Sequence, residues 1–218
     1  VIISTEKKIG VFFVPKTGSV SLFSLFNHAN APFKKHSHEN YTEIKNVGLD
    51  ISSDFPNYKF FAFYRDPVDR CLSVIKYCKR VHYGFALNAF CDDASQIHNE
   101  STQYQDLSDE LKNKIEGISN TQYISAFVNP IFGPMVFPQK YWFDHDIDIT
   151  MLDYANYNIE VRRLMQLFDL NVSEIPKLNV SPSVPSQDIL TQSEIDAIKL
   201  MYKKDYDLFA SKGIYFSK

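Results

Sequence analysis

Short apolar runs of strand length, separated by stretches with helical spacing, set the rhythm of this chain. Ile9-Gly10-Val11-Phe12-Phe13-Val14 is continuous and apolar and ends at Pro15, the pattern of a parallel strand covered on both faces. After residues 16–21, Val20, Phe23 and Phe26, with Leu22 and Leu25 beside them, follow helical spacing as far as the Asn-rich stretch 27–30, giving strand, loop, helix. A second run, Lys59-Phe60-Phe61-Ala62-Phe63-Tyr64, is followed at once by Arg65-Asp66-Pro67. Pro67 suits the first position of a helix, which the pattern carries to about Arg80.

The polar middle, residues 91–120, has few β-branched runs and reads as helices and loops, whereas residues 147–152 read as a further strand. Helical periodicity returns over residues 158–169, and a Pro/Ser loop follows at 179–185. Thr191 with Glu194 three residues on forms a capping box that opens a final helix through about Phe209. Strands alternating with helices predict an α/β fold: a P-loop-like three-layer α/β/α arrangement with a central parallel sheet and a helical elaboration. Ligands in such sheets sit at the carboxyl ends of the strands, which here carry the loops after Val14 and Tyr64. The strand phenylalanines Phe12, Phe13, Phe60, Phe61 and Phe63 are expected in the core.

A length of 218 residues with 44% hydrophobic and 15% aromatic content is enough for a sizeable core, and one domain over residues 1–218 is expected. A net charge of -3 gives no overall attraction to nucleic acid or to an anionic membrane, so any anion site must come from local cations. Cys71, Cys78 and Cys91 lack C-x-x-C spacing and read as ordinary thiols of a reducing compartment. The apolar runs are too short to span a bilayer. A cytoplasmic location is expected, the alternative being the lumenal domain of a membrane-anchored enzyme.

The loop Val14-Pro15-Lys16-Thr17-Gly18-Ser19-Val20-Ser21 brings a lysine, a glycine and several hydroxyls to a helix N-terminus, where free N–H groups favour an anion. It is not a Walker A loop, because Lys16 precedes the only glycine; alone, the segment also fits a plain turn between strand and helix. Tyr64-Arg65-Asp66-Pro67-Val68-Asp69-Arg70-Cys71-Leu72-Ser73 adds a second cation at a second strand end, with Ser73 two turns into the next helix. Arg70 also fits an exposed helix cation paired with Asp66 or Asp69.

In order, these two segments resemble the sulfotransferases that use 3′-phosphoadenosine 5′-phosphosulfate (PAPS). The branch is that of carbohydrate 2-O-sulfotransferases and bacterial relatives, with motifs close to P-K-T-G-S-T-S and R-D-P-x-x-R-x-x-S. Residues 178–181 and Tyr202-x-x-Asp205-x-x-x-Phe209 look like the family's closing loop and terminal helix. The resemblance implies that Lys16, Thr17, Gly18, Ser19, Val20 and Ser21 bind the 5′-phosphosulfate and that Arg65 and Ser73 bind the 3′-phosphate. Asn179 and Ser181 would close over the nucleotide. Val20 departs from the usual threonine and removes one hydroxyl contact.

Sulfuryl transfer needs an in-line geometry, a base and charge stabilisation on the leaving group. Lys16 suits the last role. In Lys34-Lys35-His36-Ser37-His38, either His36 or His38 matches the family's histidine base, since a neutral imidazole accepts a proton at physiological pH; alone, the pair also fits a polar surface loop. Gln139 and Trp142 are candidates for acceptor contacts, with Tyr141 beside them, and core packing is the alternative for Trp142. No metal-ligand spacing is visible. The expected acceptor is a carbohydrate or other hydroxyl compound. The alternatives are a P-loop-like nucleotide kinase or NTPase, with Thr17 as the metal hydroxyl, and a non-catalytic carbohydrate-binding descendant.

Overall fold

A computed structural model describes residues 1–28, 34–35, 51–81, 84, 90, 104, 107–128, 130–143, 147–178 and 190–216. In chain order its elements are β1 (Ile2–Ser4), β2 (Ile9–Phe12), α1 (Ser19–His28), β3 (Lys34–Lys35), α2 (Ile51–Asp54), β4 (Lys59–Tyr64), α3 (Pro67–Arg80), α4 (Asp109–Gly117) and α5 (Asn120–Ala126). After a 3-10 stretch at Pro130–Met135 come α6 (Lys140–Phe143), β5 (Ile149–Asp153), a 3-10 turn at Tyr154–Asn156, α7 (Tyr157–Leu167), α8 (Gln192–Met201) and α9 (Lys203–Ser211). Two compact units emerge, one of residues 1–66, 137–180 and 207–218, the other of residues 67–136 and 181–206. Among the described residues no helix is long and apolar enough to cross a membrane.

The first unit is α/β and holds one sheet in the order β3-β1-β2-β4-β5. Its centre is parallel, as the apolar runs imply: β2 pairs with β4 and β4 with β5. The expected central parallel sheet is extended on one side by antiparallel pairs, β1 with β2 and β1 with β3. Alternation of side chains along each strand sends Val11, Phe13, Phe61, Phe63 and Leu152 to one face. There they pack with Leu22 and Phe26 of α1 and Val161, Leu164 and Met165 of α7. The opposite face carries Phe12, Val14, Phe60, Ala62 and Ile149 against Ile51, Phe55, Trp142, Phe143 and Phe209. Both faces are thus covered, and the strand phenylalanines are core residues; each contributes about 1.5–3 kcal/mol of burial.

Register fixes which edge of the sheet each loop leaves from. Val11 pairs with Ile2 and Phe61, and Ile2 pairs with Lys35. Because β1 is antiparallel to both β2 and β3, β3 runs in the same direction as β2 and β4. Lys35 therefore ends β3 at the carboxyl edge of the parallel strands, two strand spacings, or about 10 Å, from Val11.

The second unit is helical. Along α3, Val68, Cys71, Leu72, Val74, Ile75 and Cys78 are buried, a stripe at helical spacing, and α3, α5 and α8 pack on one another. α5 and α8 both open on capping boxes, Ser119 with Gln122 and Thr191 with Glu194, the second at the position the sequence predicts. The predicted final helix is two: α8 ends at Met201, and Tyr202 (φ -99°, ψ 23°) separates it from α9. The Tyr202 hydroxyl donates to the Val136 carbonyl at 2.9 Å. Arg70 is not an exposed helix cation. It is 1% exposed, donates from Nη2 to the Met135 carbonyl at 2.8 Å, and lies 5.9 Å from the Tyr202 ring centroid.

Candidate functional site

At the carboxyl edge of the first unit's sheet, the chain leaves β2 through residues 13–18 and enters α1. Two residues of this loop have left-handed backbone, Lys16 (φ 67°) and Gly18 (φ 78°). Glycine adopts that region without cost, whereas lysine holds it only where the surroundings enforce it. The Thr17 hydroxyl donates to the Val14 carbonyl at 2.8 Å and is buried, closing the turn beneath Lys16. Any anion contact from Thr17 must therefore run through its backbone N–H, not through the hydroxyl.

Gly18 is the residue before α1, and its carbonyl accepts from the Leu22 N–H at 3.0 Å. Ser19 and Ser21 are buried in the first turn, while Val20 is 42% exposed. The Ser21 hydroxyl oxygen accepts from the Leu178 N–H at 3.1 Å. α1 carries no acidic residue in its first turn, so its N-terminal N–H groups keep their full attraction for an anion.

β4 lies directly beside β2, so the residue after it, Arg65, comes to the same edge. Its guanidinium donates from Nη1 to the Lys16 carbonyl at 3.2 Å and sits 4.6 Å over the ring centroid of Tyr154. Arg65 is itself held by its backbone: its N–H donates to Gln139 Oε1 at 3.0 Å, and its carbonyl accepts from Gln139 Nε2 at 2.7 Å. Gln139 thus acts like one more strand residue paired to the end of β4.

That arrangement corrects the expected roles of Gln139 and Trp142. Both are 0% exposed, Gln139 spends both amide atoms on Arg65, and Trp142 belongs to the core against Ile149, Phe143 and Phe209. Neither presents a face to an acceptor. Ser73 is half-buried on α3 in the helical unit. His36, His38, Asn179 and Ser181 lie outside the described residues.

Two residues absent from the sequence reading complete the site. Tyr154 and Tyr157 follow β5, the third parallel strand, and the Asp153 carboxylate caps the turn between them by accepting from the Ala155 N–H at 2.8 Å. The Tyr157 hydroxyl donates to the Gly18 carbonyl at 2.8 Å. Burial, and then the neighbouring Tyr154, push its pKa above that of an ordinary phenol, so it remains a donor at neutral pH. The available signal was a pair of tyrosines three residues apart at the end of a strand parallel to the other two. No protein family, curated protein or solved structure matches the chain.

Proposed function

We propose that the chain is a sulfotransferase with a P-loop-like fold that moves a sulfuryl group from PAPS to a hydroxyl, on a carbohydrate acceptor. The observation that carries this reading is the hydrogen bond from Arg65 to the Lys16 carbonyl. It joins the two motifs, from adjacent parallel strands, into one cationic rim at a helix N-terminus. The donor set of Lys16, Arg65, Ser19, Ser21 and the first N–H groups of α1 suits a ligand with phosphate or sulfate at both ends.

PAPS supplies a sulfuryl group activated by its link to the 5′-phosphate. As the acceptor oxygen bonds to sulfur, the old S–O bond breaks and the phosphate keeps its electrons. Lys16 stabilises the negative charge that collects on that phosphate. Arg65 holds the 3′-phosphate. His36 or His38 takes the acceptor's proton. A magnesium-dependent kinase would need the hydroxyl after the lysine as a metal ligand, and that of Thr17 is donated to Val14.

Calorimetric titration with adenosine 3′,5′-bisphosphate, AMP and ATP, with and without Mg²⁺, tests the proposal. Metal-independent binding that requires the 3′-phosphate is expected. Preference for ATP with Mg²⁺, or no binding of the bisphosphate, refutes it.

A further inference from the structure

The loop that carries Lys16 departs from ordinary backbone at two of its residues, and the chain segment that restrains it arrives from far along the sequence. Tyr157 touches it in two ways. Its hydroxyl donates to the Gly18 carbonyl, the same oxygen that accepts the first helical bond from Leu22. Its ring fills the space where a side chain on Gly18 would stand, since a Cβ there would come within 2.5 Å of the ring. One turn earlier, Tyr154 faces the Arg65 guanidinium at 4.6 Å, and the two tyrosine rings touch, with centroids 5.4 Å apart.

We infer that Tyr154 and Tyr157 are positioning residues that lock the two cation-bearing loops to each other, Tyr157 latching the backbone of the Lys16 loop and Tyr154 aligning Arg65. Asp153 sets the geometry by capping the turn that separates the two rings. The hydroxyl of Tyr157 distinguishes this role from packing: a phenylalanine would fill the same space but would leave the Gly18 carbonyl with the Leu22 N–H alone, without the second donor that ties it to the segment after β5. The inference rests on Lys16 and Arg65 being the anion ligands of the proposed function, and it assigns to two further residues the task of presenting them.

Tyr157→Phe keeps the ring and removes the donor. Two measurements on the full chain test it: calorimetric affinity for adenosine 3′,5′-bisphosphate, and backbone amide exchange over residues 16–22, with β4 as the internal reference. Loss of one hydrogen bond should weaken nucleotide binding about 5-fold and speed exchange over residues 16–22 while β4 is unchanged. Unchanged affinity and exchange overturn the latch, as does acceleration spread equally over β4, which marks general loosening. If the native chain does not bind the nucleotide, the sulfotransferase reading falls, and exchange alone decides: local acceleration sustains the latch and its absence overturns it. For Tyr154, the Phe variant keeps a ring face for Arg65 and the Leu variant does not. Binding near the native value for Phe and about 3-fold weaker for Leu is expected; equal affinities overturn the alignment role.

Discussion

Replacing Gln139 with leucine keeps the size of the side chain and deletes its two hydrogen bonds to Arg65. Because Gln139 is fully buried, leucine creates no cavity, and the cost falls on the Arg65 N–H and carbonyl. A backbone group left without its partner costs about 1–3 kcal/mol when fully buried, and Arg65 is half-buried, so a loss of about 1–3 kcal/mol for the two together is expected from a total of about 5–15 kcal/mol for a domain. Equilibrium urea unfolding, followed by circular dichroism, reads this as a fall in midpoint at unchanged slope. A loss below about 0.5 kcal/mol would mean that the two bonds do no net work, and the reasoning would fail. Intact stability with an isolated rise in acceptor KM would restore Gln139 to acceptor binding.

Two further outcomes are expected. His36→Ala and His38→Ala should each leave binding of adenosine 3′,5′-bisphosphate intact while one of them lowers kcat by about 10²–10⁴-fold, read by transfer of labelled sulfate to a carbohydrate acceptor; full activity in both rejects a histidine base. Burial pushes the Cys71 thiol up to about 12, above its ordinary value of about 8.5–9. The unfolded chain therefore releases this proton first, and its contribution to stability is complete below about pH 9 and lost between about pH 9 and 12, at about 1.4 kcal/mol per pH unit. Cys71→Ala should flatten that alkaline limb in unfolding curves taken across this range, and an unchanged limb would refute the assignment.

The elements legible in the sequence are those whose signals are local. The run Lys59–Tyr64 matches β4, and Pro67 begins α3, which ends at Arg80 as predicted, because proline at the first helical position needs no partner for its missing N–H. β1 and β3 left no signal, since strands of three and two residues have no periodicity and exist only by pairing with β2 and with each other. The loop that carries Lys16, between strand and helix, was legible for the same local reason as β4. Gln139 and Tyr157 were not, because their partners Arg65 and Gly18 lie 74 and 139 residues away. Arg70 misled because a cation one turn into a helix ordinarily faces water, and here the Met135 carbonyl gives its buried guanidinium an acceptor.

Residues 65–148 connect the neighbouring parallel strands β4 and β5, and most of the helical unit is threaded through that one crossover. The entropy of closing a loop rises only with the logarithm of its length, about 0.6 kcal/mol for each doubling. Insertions and deletions in the crossover are therefore cheap for the sheet, whereas a single-residue slip in β2 or β4 would move Lys16 or Arg65 off the rim. Selection can rewrite the length and content of the helical segment at a cost the strands barely register, while the edge that carries Lys16 and Arg65 stays fixed.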